Sequence, residues 1–203
     1  MNLPAFVTEA LEQALGEAPH TAVAVGGGCI HEAARVETSS GPVFAKWSAS
    51  AEPRMFELEA AGLRQLRDTA TISVPEVIAQ TAQALVLSWV EPSPSRGLAM
   101  RDAGHQLAAL HEQRGHRPGG DQDGYIGRLV QTNVSEASST WLEFFRRHRV
   151  EALTPCLPTG LRTRIEAIDF EGLLDEPAGG CALLHGDLWG GNLVCGADGL
   201  GWF

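Results

Sequence analysis

His185-Gly186-Asp187-Leu188-Trp189-Gly190-Gly191-Asn192 is the stretch on which the reading of this 203-residue chain turns. It follows a short apolar segment, Cys181 to Leu184, that reads as a strand. An aspartate with an asparagine five residues later, in a loop after a strand, has the spacing of a phosphoryl-transfer catalytic loop. The aspartate must reach an acceptor hydroxyl and take its proton. The asparagine must turn back to hold a magnesium ion on the phosphates, and the glycines permit that return. Taken alone, the stretch also reads as a polar loop in which Asp187 serves as a turn or helix cap.

Upstream, Lys46 lies in the apolar strand Val43-Phe44-Ala45-Lys46-Trp47 and shares a face with Phe44 by the period of two. A lone lysine in such a strand ordinarily reaches out to solvent. The next helical pattern, 53–67, has Pro53 in its first turn and an apolar stripe through Phe56, Leu63 and Leu66. Glu59 falls on that stripe and Glu57 falls beside it. A carboxylate facing a core needs a partner, because an unpaired buried charge is costly. Lys46–Glu59 is therefore the expected ion pair, of the kind that holds a lysine against nucleotide phosphates. Glu57 ranks second, and both glutamates also fit a solvated helix face.

Outward from these two landmarks the chain reads as two parts. Residues 3–15 form an amphipathic helix with Phe6, Ala10, Leu11 and Leu15 on one side. Strands are expected at Thr21–Val25, Cys29–Val36 and Val43–Trp47, then at Val74–Ala79 and Ala84–Val90. Gly26-Gly27-Gly28, between the first two strands, lets backbone amides approach phosphate oxygens, although a glycine hairpin by itself is more often a plain turn. Ser88, Trp89 and Val90 lead into Glu91-Pro92-Ser93-Pro94 and are the expected contacts for a nucleotide base, or else part of an ordinary buried strand. The prolines place a boundary between lobes 1–91 and 92–203. Helices are expected at about 99–113, 139–152 and 159–173, with a glycine-rich loop at 115–128.

Composition narrows the classes. A net charge of −10 disfavours nucleic acid and anionic membranes as partners. Cys29, Cys156, Cys181 and Cys195 are widely spaced and match neither zinc-site nor disulfide-scaffold patterns. Met1–Glu12 has no basic region ahead of an apolar core, so no signal peptide is expected, and no apolar run is long enough to span a bilayer. A reducing cytoplasm is the expected location. His105 and His111 are six apart on one helix, on different faces, which disfavours a metal pair, and His185 is expected to be structural.

The order of glycine hairpin, strand lysine, helix glutamate, proline-marked linker and His-Gly-Asp…Asn resembles the protein-kinase-like fold of aminoglycoside and choline phosphotransferases. Within that group the chain most closely resembles the fructosamine (ketoamine) kinases. The resemblance is carried by Gly26-Gly27-Gly28-Cys29-Ile30, Gly41-Pro42-Val43-Phe44-Ala45-Lys46 and Met55-Phe56-Glu57-Leu58-Glu59. It is carried further by Trp141 with Phe144-Phe145 and Arg147, and by Leu184-His185-Gly186-Asp187-Leu188-Trp189. It implies an α+β, two-lobed fold with an antiparallel sheet and helix in the N-lobe and a mostly helical C-lobe. It also implies ATP- and Mg²⁺-dependent phosphorylation of a sugar hydroxyl on a ketoamine. Asp187 would be the base, Asn192 a magnesium ligand and Lys46 with Glu59 the phosphate-positioning pair. Trp189 would lie on the substrate side, and Cys29 would be a candidate for redox control or an inert buried thiol.

In such kinases a second metal-binding aspartate follows one strand after the loop. Here the sequence runs to Leu200-Gly201-Trp202-Phe203, and Asp198 lies in the turn before that strand. The chain is accordingly expected to be truncated at its C-terminus, either a fragment or a product without catalysis. An inactive nucleotide-binding module, or a kinase of another small alcohol, are the alternatives.

Overall fold

The computed structural model of the chain describes residues 1–26, 31–93, 96–136, 139–196 and 199–202. It divides into two compact units, Met1–Leu110 with Leu184–Phe203, and His111–Leu183. No helix among the described residues is long and apolar enough to cross a membrane.

The first unit is built on a five-stranded antiparallel sheet. Its strands are β1 (Thr21–Ala24), β2 (Glu32–Thr38), β3 (Gly41–Trp47), β4 (Val77–Gln80) and β5 (Ala84–Ser88), in the order β1-β2-β3-β5-β4. The β2–β3 turn depends on Gly41, whose φ of 113° is open to glycine and strained for other residues. Thr38 Oγ1 closes that turn by donating to Gly41 O at 2.7 Å.

Alternation then sorts the side chains onto two faces. Ala34, Val36, Val43, Ala45, Trp47, Ala84 and Val86 pack with Val7 and Leu11 of helix α1 (Ala5–Leu15). Phe44, Leu85 and Leu87 pack on the other face with Phe56, Ala60 and Leu63 of helix α2 (Met55–Asp68). β5 is covered on both faces, which explains its unbroken apolar run Ala84-Leu85-Val86-Leu87. It stops at Ser88, two residues short of the expected Val90. α1 ends at Gly16, whose left-handed φ of 73° lets its N–H reach Glu12 O.

The segment beyond the proline-rich stretch returns to this same unit. Strands β8 (Leu193–Gly196) and β9 (Gly199–Trp202) form a hairpin. Ser93 N–H donates to Cys195 O at 2.6 Å, and Trp202 N–H donates to Ser73 O at 2.9 Å. The buried Trp202 indole donates Nε1–H to Gln106 Oε1 at 2.8 Å, Gln106 lying on helix α3 (Arg96–Glu112). These bonds explain why compactness breaks after Leu110 and before Leu184, with the 91/92 boundary inside the first unit.

In the second unit, β6 (Gly124–Ile126) and β7 (Leu129–Gln131) form a hairpin inside the expected loop. Helix α4 (Trp141–Phe145) opens with a capping box between Thr140 and Glu143. The Glu176 carboxylate accepts from Trp141 N–H and Leu142 N–H at 3.0 and 2.8 Å, a favourable place for an anion. The helix then widens into a π-helical turn over Arg146–Glu151. Helix α5 (Thr159–Glu166) is shorter than the expected 159–173, because the chain turns where Gly172 N–H donates to Asp169 Oδ1. The strand expected at Cys181–Leu184 reduces to one bridge between Cys181 and His116, since among the described residues it finds a strand partner at Cys181 alone. Among the described residues, Phe144 is the one buried apolar side chain of this unit.

Candidate active site

Lys46 and Phe44 lie on the α2 face of β3, while Ala45 and Trp47 face α1. Lys46 Nζ donates to Glu59 Oε1 at 2.7 Å. The two side chains are 23% and 30% exposed, partly shielded from water yet still within its reach. Glu57 is engaged elsewhere: Arg54 Nη2 and Nε donate to its carboxylate at 2.7 and 3.1 Å on the exposed first turn of α2. That hydrogen-bonded pair draws the Glu57 carboxyl below its usual range. The two glutamates thus divide between lysine and arginine according to the side of the helix each occupies.

A third residue joins this pair that the sequence pattern did not single out. His31 Nε2 lies 3.1 Å from Met55 Sδ, and its ring centroid is 5.1 Å from that of Phe56. Burial, reinforced by the positive charge of Lys46, holds the imidazole below the usual histidine range, while Glu59 pulls the other way. The available signal was alternation: His31 continues the Arg35–Ala33 face of β2 by one step, and Ala33 is the register partner of Lys46.

The candidate catalytic loop folds back on itself. Gly186 has a φ of 90°, and Gly190–Asn192 form a single 3₁₀ turn. Asn192 Nδ2 donates to Asp187 O at 2.8 Å and to Asp187 Oδ2 at 2.9 Å, while Asn192 N–H donates to Trp189 O at 3.0 Å. The amide thereby fixes the Asp187 carboxylate. Gly191 lies against the Trp189 ring so closely that a Cβ there would come within 2.2 Å of it. Trp189 is half exposed, and the His185 ring stands 6.0 Å from that of Trp202.

At the end of β5, Ser88 N–H donates to Glu76 O and Ser88 Oγ accepts from Glu76 N–H, both at 2.9 Å. Trp89 Nε1–H donates to Glu91 Oε2 at 2.8 Å, and the Arg35 guanidinium lies 5.3 Å over the Trp89 ring. Val90 follows, outside the strand. Gly26 ends the described part of the glycine turn, and Gly27, Gly28 and Cys29 lie outside the described residues, as does Asp198.

Asn192 carries an amide oxygen, a hard donor suited to magnesium, beside the Asp187 carboxylate that its amide N–H orients. Among the described residues no group of three or more histidines, cysteines, aspartates or glutamates could hold a metal. Asn192 would hold a magnesium ion together with nucleotide phosphate oxygens, a common mode for that ion.

A family model described as fructosamine kinase matches residues 5–202. The chain is 34% identical over 196 residues to a chloroplastic protein-ribulosamine 3-kinase of Oryza sativa subsp. indica, covering 86% of this chain and 54% of the relative. It is 31% identical to the ketosamine-3-kinase of Mus musculus, covering 83% of this chain and 66% of the relative. The chain thus spans about half to two thirds of the length of these curated relatives. A solved structure of a candidate fructosamine-3-kinase from Thermobifida fusca superposes with a TM-score of 0.78 at 29% identity, over 97% of this chain and 72% of that one. The α+β architecture is therefore the kinase-like fold of that structure.

Proposed function

We propose that this chain, which belongs to the fructosamine kinase family, carries the machinery for transferring a phosphoryl group from ATP to a sugar hydroxyl of a ketoamine. The observation that carries the reading is that one compact unit contains both the Lys46–Glu59 pair and the Asp187–Asn192 loop. Neither pairing is required by the packing of a small α+β domain, and phosphoryl transfer uses both.

In this reading Glu59 holds Lys46 extended so that its ammonium meets the nucleotide phosphates. The main chain at Trp89 and Val90 takes the base, with Ser88 anchoring that segment through its bonds to Glu76. Gly26, Gly27 and Gly28 cover the phosphates. Asp187, oriented by the Asn192 amide, accepts the proton of the acceptor hydroxyl as it attacks. Asn192 also presents its amide oxygen to magnesium, which when bound supplies charge neutralisation on the phosphates. The exposed Trp189 ring offers an apolar wall for the acceptor. Residues 1–91 then serve as the nucleotide lobe, and residues 92–203 bring the catalytic loop.

ADP release in the presence of ATP and magnesium tests the acceptor class. A fructosyl-lysine peptide should stimulate release, while the unglycated peptide, choline and an aminoglycoside should not. Stimulation by choline or the aminoglycoside in preference to the ketoamine would overturn the assignment of substrate.

A further inference from the structure

The Lys46–Glu59 pair has a titratable neighbour that the proposed reaction does not use. His31 stands one residue before β2, and alternation puts residues 31, 33 and 35 on the face that carries Lys46. Its ring turns onto Met55 and Phe56, the first two residues of α2. Glu59 follows one turn later on that helix. His31 therefore ties the start of β2 to the helix that supplies the lysine's counter-charge.

Resting on the kinase reading above, we infer that His31 is a positioning residue for Lys46. As the neutral ring it packs on the first turn of α2 and leaves Glu59 to Lys46. As the cation it competes for Glu59 and loosens the lysine's grip on phosphate. A protonated imidazole packed among a thioether and a phenyl ring is poorly solvated, and Lys46 would be a like charge near it. Among the described residues, the charges whose fields reach it are Lys46 from β3 and Glu59 from α2. Glu32 is turned to the opposite face, where it accepts from Trp47 Nε1–H at 2.8 Å, and Arg54 and Glu57 are occupied with each other. The depressed basicity of the ring agrees with this arrangement, burial being the larger cause and Lys46 the second.

Two measurements on the full chain decide the point. The first is the titration of the His31 ring by NMR in the wild type, Lys46→Met and Glu59→Gln. Its midpoint is expected below the usual histidine range, to rise when Lys46 is removed and to fall when Glu59 is neutralised. A midpoint unmoved by both substitutions would overturn the inference, and this readout needs neither nucleotide nor turnover.

The second is calorimetric affinity for MgATP at pH 7.5 and 5.5, taken as the difference between wild type and His31→Gln so that the nucleotide's own titration cancels. Acidification should weaken wild-type binding by about fivefold more than that of His31→Gln, the lower end of typical site-to-site coupling. The Gln side chain should retain neutral-pH affinity that His31→Ala loses. Equal pH dependence in wild type and His31→Gln, or tighter wild-type binding in acid through direct attraction of phosphate to the cation, would overturn it. No MgATP binding at either pH would instead count against the kinase reading, and the ring titration would still settle the place of His31.

Discussion

Asn192 donates from one side-chain amide to two oxygens of Asp187, the main-chain carbonyl at 2.8 Å and carboxylate Oδ2 at 2.9 Å. Five residues apart, the two are joined through the tight turn that Gly190 and Gly191 permit. The bond selects one carboxylate orientation in an exposed loop that has little packing to do so. Asn192→Ala should lower kcat by about 10–100-fold through lost orientation, the scale of one hydrogen bond to a charged group. It should also raise the magnesium concentration needed for half-maximal rate. Steady-state rates across a magnesium series check both effects.

At the other end of the site, Lys46→Met should raise KM for ATP on the order of 10–100-fold. Its effect on folding should be small, since the pair is part-exposed and screened by solvent. Glu59→Gln should fall between Lys46→Met and wild type. Glu57→Gln should leave KM unchanged, because that carboxylate pairs with Arg54 on the exposed turn. An equal penalty from both glutamates would contradict the division of partners.

These contrasts indicate what could be read before the fold was known. Strand period two put Lys46 with Phe44, and helix period put Glu59 with Phe56 and Leu63, so the ion pair was legible from residue spacing. His31 was legible only in part: alternation puts it on the Lys46 face, but its approach to Met55 and Phe56 depends on how α2 lies on the sheet, which no local period encodes. The π-helical turn at Arg146–Glu151 and the 124–131 hairpin escaped for a similar reason: their sequences lack strong alternation. Cys181–Leu184 looked like a strand because it is apolar, yet a strand needs a neighbour, and among the described residues Cys181 alone found one.

Trp202 gives a stability test. The indole is 1% exposed and bonded to Gln106, so Trp202→Phe should cost about 1–3 kcal/mol by leaving the Gln106 amide unmatched. Trp202→Ala should cost about 3–5 kcal/mol, as large core truncations do. Urea denaturation reads both. A cost below about 0.5 kcal/mol for Trp202→Ala would show that β9 is not held to α3 in solution.

Asp123 supplies a pH prediction in the second unit. Its Oδ1 accepts from Asn133 N–H and Val134 N–H at 2.7 and 3.0 Å, and these bonds depress its carboxyl below the usual range. A lowered folded value means stability present above the ordinary aspartate range and lost as pH falls through the folded value. Asp123→Asn should therefore flatten the acid limb of the unit's stability, measured by hydrogen exchange at Asn133 and Val134. An unchanged acid limb would remove Asp123 from that role.

The most direct test of the central claim is the mass of a fructosyl-amine acceptor incubated with this chain, ATP and magnesium, beside an Asp187→Asn control. The account predicts a gain of one phosphoryl group with the wild-type chain and a rate lower by about 10²–10⁴-fold in the control, the usual contribution of a positioned base. Phosphorylation at equal rates in both would contradict the role assigned to Asp187, and none in either would contradict phosphoryl transfer by this chain.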